Sequence, residues 1–121
     1  MKILVTDDSK MARKMVLKTL EDTLNFEYEV FEATNGQEAV DLYKTHKPNL
    51  VLMDLTMPVM DGFEALKRIK ELESDANVVV ISADIQKQAI DKALKLGAFN
   101  FIKKPIDSTK MQQIINKING L

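Results

Sequence analysis

Three short apolar runs stand out along the chain: Ile3-Leu4-Val5, Leu50-Val51-Leu52-Met53 and Val78-Val79-Val80-Ile81. None alternates with polar residues, which is the pattern of strands buried on both faces of a parallel sheet. Tyr28 to Ala33 and Ala98 to Ile102 are shorter or more alternating, and rich in aromatic and β-branched residues. They read as two further strands. Between the runs, apolar residues return at helical spacing. Ala12, Val16 and Leu20, with Met15 and Thr19, form one stripe; Ala39, Val40 and Tyr43 begin a second; Ala65, Leu66 and Ile69 a third. Ala89, Ile90, Ala93 and Leu94 make a fourth, and Met111, Ile114, Ile115 and Ile118 a fifth, with Lys, Glu, Asp and Gln on the opposite faces.

Punctuation fits this division. Asn35-Gly36, Asp61-Gly62 and Gly97 fall between elements, and Pro48, Pro58 and Pro105 sit in connections. Asp107 or Ser108 suits the cap of the last helix and Gly120 its end. The stretch from Glu21 to Glu27, between first helix and second strand, reads as surface variation. Strand and helix alternate five times with no linker or repeat, so the expectation is one α/β domain over 1–121. Its natural form is a five-stranded, doubly wound, flavodoxin-like parallel sheet of order 2-1-3-4-5.

Composition narrows the class. A length of 121 residues with 45% hydrophobic and 29% charged residues describes one soluble domain. The chain has no apolar run of membrane-spanning length and no signal peptide. With no cysteine, thiolate metal sites and disulfides are excluded, in keeping with a cytoplasmic protein. A net charge of −1 without a basic block argues against direct nucleic-acid binding. His46, the single histidine, sits beside Lys47-Pro48 in what reads as a solvated loop. Any bound metal would be a hard ion held by oxygen. The seven methionines read as flexible core filler, with Met11, Met57 and Met60 available to a partner surface.

In doubly wound sheets, ligands bind beyond the carboxyl ends of the strands, at the switch in strand order. Those ends carry Asp7-Asp8, Asp54 and Ser82, with Lys103-Lys104-Pro105 after the fifth strand. Crowded carboxylates repel unless a cation neutralises them, and Mg²⁺ suits oxygen ligands and phosphate. Asp54 is then free to act as a nucleophile on phosphorus, while a lysine and a short hydroxyl offset the phosphoryl oxygens. Capping of the first helix is the plainer role for Asp7-Asp8. Ordinary strand-end and solvated roles are the plainer ones for Ser82 and Lys104.

Four segments together resemble the receiver domain of two-component response regulators, over essentially the full chain. They are Val5-Thr6-Asp7-Asp8-Ser9, Leu52-Met53-Asp54-Leu55-Thr56-Met57-Pro58-Val59-Met60-Asp61-Gly62, Ile81-Ser82-Ala83 and Gly97-Ala98-Phe99-Asn100-Phe101-Ile102-Lys103-Lys104-Pro105. The resemblance implies that Asp54 accepts a phosphoryl group from a sensor histidine kinase or phosphotransfer protein. It implies Mg²⁺ on Asp8, Asp54 and the Thr56 carbonyl, with Asp7 acting mainly through water. It makes Ser82 the hydroxyl that moves to the phosphoryl group, Lys104 rather than Lys103 the catalytic lysine, and Phe101 the aromatic switch. The Lys104-Pro105 bond is commonly cis in the family. Thr56 and Asp84 occupy the positions that tune phosphoryl lifetime. Phe101 lacks the hydroxyl of the family's common tyrosine, so any output that needs that hydroxyl is in doubt.

The resemblance also implies that kinases meet the first helix, near Met11, and the loop after Asp54, and that output to a downstream protein runs through the fourth helix, fifth strand and fifth helix. The chain's close at Asn119-Gly120-Leu121, just after the fifth helix, suggests a stand-alone chemotaxis or phosphorelay regulator; the expectation is a monomer that signals rather than catalyses apart from its own phosphorylation and dephosphorylation. The alternative is a receiver cut from a DNA-binding or enzymatic regulator. Two other classes fit less well. A haloacid-dehalogenase-type phosphatase generally has a second Asp two residues after its nucleophile, where this chain has Thr56. A flavin or nucleotide carrier on this fold needs a Gly- or Ser/Thr-rich phosphate loop after the first strand, where this chain has Asp7-Asp8-Ser9-Lys10.

Overall fold

The computed structural model describes residues 1–120; Leu121, part of the expected chain end, lies outside the described residues. Strands and helices alternate as β1 (Lys2–Thr6), α1 (Lys10–Thr23), β2 (Glu29–Ala33), α2 (Gly36–His46), β3 (Leu50–Met53), α3 (Gly62–Leu72), β4 (Val78–Ser82), α4 (Lys87–Lys95), β5 (Asn100–Lys103) and α5 (Ser108–Ile118). All pairings are parallel and the strand order is β2-β1-β3-β4-β5, as the alternation predicts.

Successive strand residues point to opposite faces, so each apolar run feeds two cores. Leu4, Val51, Met53 and Val80 pack under Ala39, Val40, Ala65, Leu66, Ile69 and Ala93 of α2, α3 and α4. Ile3, Val5, Leu50, Leu52, Val79 and Ile81 face α1 and α5 through Leu20, Met111, Ile114 and Ile115. Each such aliphatic side chain withdrawn from water contributes roughly 1.5–3 kcal/mol. Short polar residues start the helices. Ser9, Asn35, Asp61 and Asp107 each accept from a backbone N–H of the first turn, Asp107 rather than Ser108 capping α5. At the other end of α5, Asn119 is the cap and Gly120 follows it in the left-handed conformation that closes a helix, as expected.

Four expectations need correction. In α1, Met15 is 51% exposed, and Leu20 is buried with Val16 and Leu17 packed beside it. Met15 and Thr19 instead line a groove of about 480 Å³ between α1 and the segment Lys104–Ile106 that precedes α5. The stretch from Glu21 to Glu27 lies mostly at the surface, but it begins inside α1 and buries one residue. The helix runs on to Thr23, and Leu24 bonds back to the Leu20 carbonyl and is buried. His46 belongs to α2, not to a loop, and stacks on Phe31 with ring centroids 4.0 Å apart. The helix ends one residue later, where Lys47 takes a left-handed conformation before Pro48. Met57 is buried in the core and is not available to a partner, whereas Met11 is 69% exposed.

Candidate functional site

The strand order sets β1, β3, β4 and β5 side by side, so whatever follows them shares one edge of the sheet. Asp7 follows β1 and Asp54 follows β3, and both are buried; Asp8 is exposed. Backbone bonds continue the ladder past the strand ends. Asp54 donates its N–H to the Thr6 carbonyl at 2.9 Å, Asp7 to Ala33 at 3.1 Å, and Lys104 to Ser82 at 2.9 Å. Apolar runs thus end in acids that are held almost as rigidly as the strands themselves.

The side chains converge. Carboxylate oxygens of Asp7, Asp8 and Asp54 lie within 4.8 Å of one another. Lys104 Nζ bridges two of them, donating to Asp7 Oδ2 at 2.8 Å and lying 3.1 Å from Asp54 Oδ1. Lys103 is exposed on β5, so the lysine next to proline is the one that enters the site, and the Lys104-Pro105 peptide is cis. Asp7 Oδ1 accepts from the Ser9 N–H at 2.9 Å. Ser9 rather than Asp7 or Asp8 caps α1, so the capping role does not account for the acidic pair.

Electrostatics sharpen the picture. Burial pushes the Asp54 carboxyl above the usual range; the Lys104 hydrogen bond pulls it back, and the negative charge of Asp7 pushes it up again. Burial would lower Lys104, but its hydrogen bonds to Asp7 and Asp54 prevail and hold it above the ordinary lysine value. Three carboxylates face one ammonium. This surplus of hard oxygen donors, with Asp54 reluctant to ionise, fits a divalent ion such as Mg²⁺.

The other expected residues lie around this centre. Ser82, at the end of β4, is buried and its Oγ accepts from the Asp84 N–H at 3.0 Å. Asp84 Oδ1 in turn accepts from the Gln86 N–H, just ahead of α4. Phe101 is half-buried and packs on the core shared by α2, α3 and α4. Thr56 is exposed in the loop from Asp54 to Gly62. That loop is clamped by the Gly62 N–H on the Leu55 carbonyl and the Gly36 N–H on the Met60 carbonyl, both at 2.9 Å. Sequence reasoning did not reach Arg13, whose guanidinium bonds the Asp7 carbonyl and Glu32. Its only signal in the chain is a basic residue one turn after a helix cap that follows two acids.

Comparison with known proteins identifies the family. Residues 3–116 match the model of the response regulator receiver domain family. The chemotaxis protein CheY of Bacillus subtilis is 42% identical over 116 residues, covering 96% of this chain and 95% of its own. The chemotaxis protein CheY of Thermotoga maritima is 39% identical, covering 98% and 97%. Among solved structures, CheY in a CheX-CheY-BeF3-Mg²⁺ complex from Borrelia burgdorferi superposes with a TM-score of 0.87 at 34% identity, covering 98% of this chain and 88% of that one. A five-stranded sheet of the expected order, four convergent site residues and a family match over nearly the whole length lead to one conclusion: the chain belongs to the response regulator receiver domains of two-component signalling.

Proposed function

We propose that the protein is a stand-alone response regulator, of chemotaxis or phosphorelay type, whose single receiver domain over 1–121 takes a phosphoryl group on Asp54. The observation that carries this is the Lys104 bridge: one ammonium holds Asp54 beside Asp7 and Asp8 at the mouth of the central strands. Relatives matched over nearly their whole length support the stand-alone reading.

In the reaction, an Asp54 carboxylate oxygen attacks phosphorus on a phosphohistidine of the kinase or phosphotransfer partner. The P–N bond breaks, its electron pair stays on the imidazole nitrogen, and an acyl phosphate forms on Asp54. Asp8, Asp54 and the Thr56 carbonyl would hold Mg²⁺, with Asp7 contributing through water; the ion supplies positive charge against the phosphoryl oxygens. Lys104 neutralises a further oxygen, and burial keeps bulk water from the group. Thr56 and Asp84 border the attacking water and set the lifetime of the acyl phosphate.

Output follows from Ser82. Its hydroxyl, now accepting from the Asp84 N–H, turns to donate to the new phosphoryl oxygen. The space vacated lets Phe101 rotate inward, and the face of α4, β5 and α5 changes shape for a downstream protein. Among the described residues no helix is long and apolar enough to cross a membrane.

The test is intact mass after incubation with acetyl phosphate, with and without Mg²⁺, on wild type and Asp54→Asn. One phosphoryl adduct is expected, dependent on Mg²⁺ and absent from the variant. An adduct that persists in Asp54→Asn would overturn the assignment.

A further inference from the structure

Arg13 lies in the first turn of α1, and only 12% of its side chain is exposed. Its Nη1 donates to the Asp7 carbonyl oxygen at 2.8 Å, and its Nε donates to Glu32 Oε1 of β2 at 3.0 Å. That carbonyl belongs to the rigid peptide plane joining Asp7 to Asp8. The preceding plane is tied to the same strand, through the Asp7 N–H on the Ala33 carbonyl. Two adjacent residues of β2, Glu32 and Ala33, therefore anchor both sides of the acidic loop, one of them through Arg13. The Asp7 carboxylate has its own partners in Ser9 and Lys104. Asp8 is exposed, so its direction depends on the backbone that Arg13 holds.

We propose that Arg13 is a positioning residue for Mg²⁺ binding, holding the Asp7–Asp8 peptide plane to β2 so that the Asp8 carboxylate is aimed at the ion. The inference rests on the Mg²⁺ reading of the acidic site given above. Partners that orient metal ligands commonly matter about tenfold or more in metal affinity. A role through charge has the opposite sign. A guanidinium beside a cation site repels the ion, so a purely electrostatic Arg13 would weaken Mg²⁺ binding and its removal would tighten it.

The experiment is calorimetric titration of the whole chain with MgCl₂, without any phosphoryl donor, alongside thermal melting. Arg13→Met keeps the aliphatic stem and removes both hydrogen bonds. The expected result is about tenfold weaker Mg²⁺ binding with only a small fall in melting temperature. Glu32→Gln keeps an acceptor for Nε and is expected to bind Mg²⁺ like wild type. Unchanged or tighter binding by Arg13→Met overturns the proposal and leaves Arg13 a structural or electrostatic residue. Should Arg13→Met fail to fold, Arg13→Lys carries the same test: the charge is retained, so weaker binding reports lost positioning and equal binding overturns it. If wild type itself binds no Mg²⁺, the metal reading falls along with the proposal, while the Asp54 mass assay still tests the acceptor separately.

Discussion

Gly36 donates its backbone N–H to the Met60 carbonyl at 2.9 Å, and a Cβ at position 36 would collide with that same oxygen. The first residue of α2 is thereby locked against the loop that carries Thr56. Only glycine allows this approach. Gly36→Ala should destabilise the protein by about 2 kcal/mol, since the obstacle is backbone on both sides. Urea unfolding measures this; a loss smaller than about 0.5 kcal/mol would mean that the loop yields freely.

Lys104 and Asp7 should behave as a coupled pair. Lys104→Met leaves two buried carboxylates without their ammonium, which should cost about 2 kcal/mol at pH 7 without Mg²⁺. Adding Asp7→Asn should recover part of that loss, and additive effects in the double-mutant cycle would refute the coupling. The folded-state pKa of Lys104 is raised, so its contribution is fully present below the unfolded value of about 10.4. The contribution is lost as pH rises through the higher folded value. Wild type and Lys104→Met should therefore converge in stability only in strong alkali.

Asp54 titrates with the opposite consequence. Burial raises its folded pKa, so between the unfolded value of about 3.9 and that raised value the native state binds more protons. Metal-free stability should fall as pH rises through this window. Above it, the buried charge costs a constant amount. Asp54→Asn should therefore be more stable than wild type at pH 7, by on the order of 1 kcal/mol, and the gap should close below about pH 3.9. Urea midpoints in EDTA across pH 3 to 8 would reveal it; a gap independent of pH would remove ionisation as the cause.

Val59 holds a positive φ of 69° while 85% exposed, a combination with strain and no compensating burial. A β-branched residue in the left-handed region costs roughly 1–2 kcal/mol. Val59→Gly should stabilise by about 0.5–1 kcal/mol, the relief of strain exceeding the added freedom of the unfolded chain. Equal or lower stability in the denaturation curve would count against strain in this loop.

How much was legible from the chain depended on the range of the interaction. The strands at 3–5, 50–53 and 78–81 were readable because burial on both faces leaves an uninterrupted apolar run. The ends of the weaker strands were less so: β2 starts one residue after Tyr28, and β5 runs from Asn100 to Lys103. Edge strands bury one side less completely, so their composition carries less of the pattern. His46 was misread for a related reason. Nothing local distinguishes a histidine before Lys47-Pro48 from a helix's last residue, and its partner Phe31 lies on another element.

The sequence by itself determined the order of elements, the strand order and the presence of Asp7, Asp8, Asp54, Ser82 and Lys104 at one edge. Apolar runs and the residues that end them are local, and the crossover rule leaves few ways to assemble them. Only the tertiary structure decided what those residues touch. Lys104 bridges Asp54 and, 97 positions away in the chain, Asp7; Ser82 turns to the Asp84 amide, Met57 goes inward, and Arg13 reaches Glu32. Such contacts depend on strand register, here Val5 opposite Glu32 and Thr6 opposite Met53. Register is set by packing the whole sheet between its helices, and no single segment of the chain contains it.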